Sequence, residues 1–144
     1  MKTAYFLALI LLLTNCAEKK TVISRIDFEA DGCFGTCPVF TMSILEDGTA
    51  YYDAQMYNDQ EGKFKTILEK AQLDSLKQLI ELGNIPALRD NYSIPVTDHP
   101  TYTLRVQYNN GLQKEIRDYG PGGPDKLIEI YHLIFSLRKT QNWK

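Results

Sequence analysis

Histidine is nearly absent from this chain. His99 and His132 are the two in 144 residues, and Cys16, Cys33 and Cys37 are the three cysteines. A structural zinc site wants four ligands, usually in closely spaced motifs. Cys33, Cys37, His99 and His132 make up that number but belong to no such motif, so no metal is expected. Basic excess is absent too. Sixteen Lys and Arg stand against eighteen Asp and Glu, a formal net charge of −2, which gives nucleic acid no electrostatic footprint. There is no internal repeat and no low-complexity tract. GPGG, at 120–123, lacks the lysine of a phosphate loop and the spacing of a dinucleotide fingerprint. Asp98 and His99 are adjacent, which suits a loop better than an acid–base pair, and no nucleophile is marked nearby. No motif calls for a cofactor, no paired carboxylates stand out, and no reaction is assigned.

Long apolar runs are also missing. AYFLALILLL, at 4–13, is ten residues, where a spanning helix needs about 20. With Lys2 before it, the run reads as a secretory signal peptide over 1–15. It ends in LTNC, which resembles a bacterial lipobox with Cys16 as the lipidated residue. Asn15 stands where Gly, Ala or Ser is usual. The alternative is ordinary signal cleavage, with Cys16 incidental. Residues 16–20 then form a short lipidated tether ahead of a single domain over 21–144. Ala17 follows the cysteine, unlike the inner-membrane retention signal of enteric bacteria, and no acidic export-like run follows. The expected location is the cell envelope, lipid-anchored in the outer membrane and facing the periplasm.

Alternating apolar and polar residues predict strands. The first covers 21–30, around Val22, Ile26 and Phe28. The second turns Phe40, Met42 and Ile44 inward. EDGT, at 46–49, makes a hairpin turn. The third puts Ala50, Tyr52, Ala54 and Met56 inward, with Tyr51, Asp53, Gln55 and Tyr57 on the other face. A fourth covers 62–68. Leu73, Leu76, Leu79 and Ile80 recur at helical spacing, and Gly83 suits the left-handed residue after a helix. Residues 84–100 carry several prolines and read as a long loop with room for one helical turn. Asp90, Tyr92 and Asp98 are its expected anchors, Asp98 through an Asx turn.

A second hairpin covers 101–119, with Tyr102, Leu104, Val106 and Tyr108 inward. A three-residue loop over 109–111, with Gly111 left-handed, sets Leu104 against Ile116 and Arg105 against Glu115. A two-residue turn would instead oppose Leu104 to Arg117, a much poorer match. After Pro124 a helix runs to about residue 139. Its stripe is Leu127, Ile130, Tyr131, Ile134, Leu137 and Arg138. The order ββββ-α-ββ-α predicts an α+β domain: one antiparallel sheet of about six strands with two helices on one face. The open face would carry Tyr51, Asp53, Tyr57, Thr103, Arg105, Gln107 and Arg117. Exposed aromatics beside arginines resemble interface hot spots, so Tyr51, Asp53, Tyr57, Arg105 and Arg117 form the candidate binding face.

CFGTCP, at 33–38, admits three readings. A reactive thiol needs a helix N-terminus or a neighbouring cation. Here Pro38 disfavours a helix, and no Lys, Arg or His lies between Arg25 and Lys63. Copper or redox chemistry on Cys33 and Cys37 is therefore the alternative to a structural staple. An oxidising compartment favours the staple. Closing so short a loop contributes roughly 2 kcal/mol by chain entropy.

The same residues carry a resemblance. CFGTCPVFTMSILEDGTAYY resembles the signature of the DUF6438 family of bacterial envelope proteins. DNY, VTDHPTYT, NNGLQKEIRDYG and Trp143 are similar as well. The resemblance implies a lipoprotein or secreted context and no activity. The expected function is non-enzymatic, a binding or structural module. It would meet the membrane through its lipid and an envelope protein or small ligand through the open sheet face.

Overall fold

The computed structural model describes residues 21–144; the signal-like run, Cys16 and the tether lie outside the described residues. The elements are β1 (Ile23–Ala30), β2 (Val39–Leu45), β3 (Thr49–Met56), β4 (Gly62–Ile67), α1 (Lys70–Leu82), β5 (Asn91–Ser93), β6 (Thr101–Tyr108), β7 (Gln113–Tyr119) and α2 (Asp125–Thr140). One turn of 3-10 helix, Ile85–Ala87, follows α1. The strands form one sheet in the order β4-β3-β2-β1-β6-β7-β5. The fold is α+β, as expected. The sheet is mixed, though, with seven strands instead of six. β5 comes from the segment expected to be loop and lies parallel to β7, Tyr92 opposite Asp118. It covers an edge of β7 that would otherwise leave backbone groups unpaired.

Only one face of the sheet is apolar. Ile26 and Phe28 of β1, Phe40, Met42 and Ile44 of β2, and Leu104 and Val106 of β6 are buried on it. α1 adds Leu73, Leu76 and Ile80, and α2 adds Leu127, Ile130, Tyr131, Ile134 and Leu137. Phe28, on the central strand, is the hub. Its ring centroid lies 5.5 Å from Tyr102, 5.6 Å from Tyr131, 5.7 Å from Phe40 and 5.9 Å from Phe135. Aromatic pairs at these spacings add to what area burial alone contributes. α1 opens with a reciprocal capping box between Glu69 and Gln72.

Three expectations fail locally. In β1, Ser24 is an extra residue against β6, since Ile23 pairs with Tyr108 and Arg25 with Gln107. This bulge buries Ile23 beside Ile26 and leaves Val22 half-exposed. In β3, Gln55 is extra against β2, since Val39 pairs with Met56 and Phe40 with Ala54. Met56 is therefore turned outward and is 49% exposed. Gly83 is right-handed (φ −74°), and Asn84 takes the left-handed position (φ 45°). Gly83 is small for another reason. A Cβ there would lie 3.1 Å from the Leu79 carbonyl oxygen and 3.3 Å from the Lys126 Cβ, so it lets α1 and α2 approach.

The second hairpin has the expected register. Leu104 faces Ile116, Arg105 faces Glu115, and the Tyr108 amide donates to the Leu112 carbonyl at 2.9 Å. Gly111 is left-handed (φ 87°), and a Cβ on it would meet nothing within 4 Å. The cost of Gly111→Ala is thus conformational alone, about 1–2 kcal/mol. Urea unfolding should show that loss, and a smaller one for Gly111→Asn. An unchanged midpoint for Gly111→Ala would contradict this account of the turn.

Candidate functional site

With both helices on one side, the other sheet face is open. Alternation along each strand sends Tyr51 and Asp53 of β3, Arg105 of β6 and Arg117 of β7 to it. Tyr57 is different. β3 ends at Met56, and Tyr57 is left-handed (φ 56°) in the turn beyond, 51% exposed. The bulge at Gln55 puts Met56 in the outward place that alternation reserved for its neighbours. The expected face thus comes together for four of its five residues, and Tyr57 sits at its end.

Across the strands these side chains form a ladder of opposite charges. Arg25 donates through Nε to Asp27 at 2.7 Å, and Asp27 also accepts from the Ser43 hydroxyl. Arg105 pairs with Glu115, Lys63 lies 4.0 Å from Asp53, and the Lys65 ammonium sits 5.5 Å from the centroid of the Tyr51 ring. Hydrogen bonds to these carboxylates push the ionisation of Arg25 and Arg105 up. Exposed pairs of this kind contribute about 0–1 kcal/mol each. Their main effect is on surface chemistry: most of the face neutralises itself. Arg117 stands apart. Among the described residues it has no carboxylate partner, and it borders a shallow depression of about 390 Å³ with Asn91, Ser93, Thr101 and Tyr119.

The CFGTCP loop leads into β2. The Cys33 and Cys37 sulfurs are at bonding distance, with Cα atoms 5.6 Å apart. Between them Phe34 is 88% exposed, a large apolar ring on a short closed loop. The sequence reading passed over it, although a Phe between two bridged cysteines has no room to fold back to the core. No group of three or more Cys, His, Asp or Glu side chains gathers as metal ligands among the described residues.

The loop anchors behave differently from one another. Asp90 pairs with Lys114, and its carbonyl accepts from the Arg117 amide at 2.8 Å. The Tyr92 hydroxyl accepts from the Arg89 amide at 3.2 Å, and the Arg89 guanidinium lies 4.6 Å from the centroid of the Tyr92 ring. Asp98 is left-handed (φ 68°), and its carboxylate accepts from the Thr97 hydroxyl rather than from loop amides.

A further anchor was missed. Asp118 is fully buried, and its carboxylate accepts from the Gly122 amide at 2.8 Å and the Gly123 amide at 3.1 Å. It fixes the turn that feeds α2. The signal was present: alternation from Ile116 puts Asp118 on the same inward face. Tyr131 lies above it, and its hydroxyl has no hydrogen-bond partner among the described residues. Burial, and then the Asp118 charge, push the ionisation of Tyr131 far up.

The chain matches the family model Domain of unknown function (DUF6438) over residues 24–138. It belongs to that family. No curated protein matches it. The match runs from the second residue of β1 into the last turn of α2, so all of the sheet but Ile23, and the disulfide loop, lie within it.

Asp118→Asn keeps one acceptor but faces an amide N–H with another N–H. The expected loss is about 2 kcal/mol, measured by urea unfolding. A loss below about 0.5 kcal/mol would mean the glycine loop does not depend on this carboxylate.

Proposed function

We propose that this chain is a non-enzymatic module of the cell envelope, tethered by a lipid on Cys16 and stapled by a Cys33–Cys37 disulfide, that docks a protein partner through its helix-free sheet face. One observation carries the reading. The helices cover a single face, so the opposite one keeps Tyr51, Asp53, Arg105 and Arg117 outward on adjoining strands. Tyr51 is 45% exposed there. A broad face of paired charges around an aromatic favours a specific partner over a charged polymer, because complementary pairing sets register and excludes wrong partners.

The direction of the strands supports an orientation. Six residues separate Cys16 from Ile23, the first residue of β1, and the seven Cα–Cα steps between them reach about 24 Å at most. β1 then runs eight residues away from the tether before the disulfide loop, roughly 26 Å at strand rise. Phe34, Met56 and Tyr57 follow or precede strand ends on that far side, which supports a tip directed away from the membrane. A partner lying along the face would meet the tip as well.

Photo-crosslinkers placed at Tyr51, Arg105 and Phe34 in the native cell should each yield one discrete protein adduct of the same mass. Crosslinkers at Glu129 and His132, on the outer side of α2, should yield none. Equal adducts from both sets, or none from the sheet face, would contradict the assignment.

A further inference from the structure

Arg138 sits on the inward stripe of α2, under the aromatic end of the core. Its guanidinium lies 5.6 Å from the centroid of the Phe40 ring and 5.7 Å from that of Phe135. Nη1 donates to the Asn58 side-chain oxygen at 2.8 Å, and that oxygen also accepts from the Tyr52 hydroxyl at 2.9 Å. Asn58 is held in this orientation because its own amide nitrogen donates to the Val39 and Met56 carbonyls. Nε is buried and has no hydrogen-bond partner among the described residues. Among the described residues no carboxylate lies within ion-pair distance of Arg138. A cation is thus held in an aromatic surround on one neutral amide, with most of its five donors unused. The side chain is half-buried, so a counter-charge reaching it is less screened than one at the open surface.

A pocket of about 190 Å³ opens beside it, bordered by Tyr52, Phe64 and Trp143 together with Gln60 and Asn142. The ring of Tyr52 lies 5.1 Å from that of Trp143 and is stacked on Phe64 at 6.0 Å. Trp143 is pinned by its indole N–H, which donates to the Arg138 carbonyl at 3.0 Å. The backbone of Lys144 then pairs with Lys65 in both directions, at 2.8 and 3.1 Å, and closes the wall against β4. Flat walls and a convergent guanidinium are the usual makings of a small-ligand site.

We propose that this pocket binds a small carboxylate carrying a flat apolar group, the carboxylate on Arg138 and the flat group against Trp143, Tyr52 and Phe64. Arginine suits the role because its planar fork matches a carboxylate in two parallel hydrogen bonds. A cavity near 150 Å³ accepts a benzene ring, so this one has space for an aryl acid of similar size. The site is separate from the open sheet face and stands whether or not that face docks a protein. The carboxylate can belong to a free acid or to the C-terminal residue of a peptide. Asp59 also borders the pocket, its side chain exposed, and its charge opposes an incoming anion.

Trp143 is the single tryptophan of the chain, so its fluorescence, excited where tyrosine is silent, reports on this pocket directly. The full chain in detergent should be titrated with benzoate, with benzamide, and with acetyl-Ala-Ala-Phe as the acid and as the amide. The expected result is a saturable change with at least one acid, and binding about tenfold weaker for its amide. Arg138→Gln should abolish the saturation, and Asp59→Asn should tighten acid binding about twofold to threefold. Tighter binding of the peptide acid than of benzoate assigns a C-terminal source, and the reverse a free acid. No saturable change with either acid overturns the proposal. So do amides that bind as well as acids in the unaltered protein, a comparison that needs no variant to fold.

Discussion

The fold turns on one buried carboxylate. Asp118, at the end of β7, takes the two glycine amides of the GPGG turn and so sets where α2 begins. The glycines are there for closeness. A Cβ on Gly122 would come within 2.8 Å of Ile94, and one on Gly123 within 2.6 Å of Leu127. With the turn held that tightly, Leu127, Ile130 and Tyr131 land on Phe28 and the sheet, and Arg138 and Trp143 arrive over β3 and β4. A carboxylate in such a place tolerates burial because charge-assisted bonds to backbone amides replace water.

Laying α2 beside α1 on one face has a consequence for the other. Gly83 lets the two helices meet closely, and together they saturate the apolar side. The open side carries mostly charges, paired strand to strand from Lys63–Asp53 to Arg105–Glu115. Such exposed pairs each hold little stability. Several of the apolar groups left outside lie near strand ends, with Phe34, Met56 and Tyr57 on the side where β1 finishes and Ile67 at the end of edge strand β4.

Much of this architecture was legible in the alternation of residues. β2 and the β6–β7 hairpin follow period two without interruption, and the match of Leu104 to Ile116 settled the turn length. The two bulges were not legible, because one extra residue at Ser24 or Gln55 shifts the period without changing composition. That shift is why Ile23 replaced Val22 in the core and Met56 turned outward. β5 was hidden because three residues in a proline-bearing segment carry no periodic signal, and its parallel pairing is decided by the free edge of β7. Tyr51, Asp53, Arg105 and Arg117 stand on the helix-free face where alternation put them, a placement that strand geometry alone determines. Asp118 and Arg138 were visible on inward faces. Their roles came from partners distant in sequence, the glycine turn for one and Asn58 for the other, and no local pattern announces those.

The central claim is that a stapled domain is carried on a lipid at Cys16. Its most direct test is the intact mass of the protein extracted from its own membrane, alkylated before and after reduction. The account predicts a chain that begins at Cys16 with two or three acyl groups and gains two alkyl groups only after reduction. A chain that begins elsewhere without lipid, or one whose Cys33 and Cys37 alkylate before reduction, would contradict it.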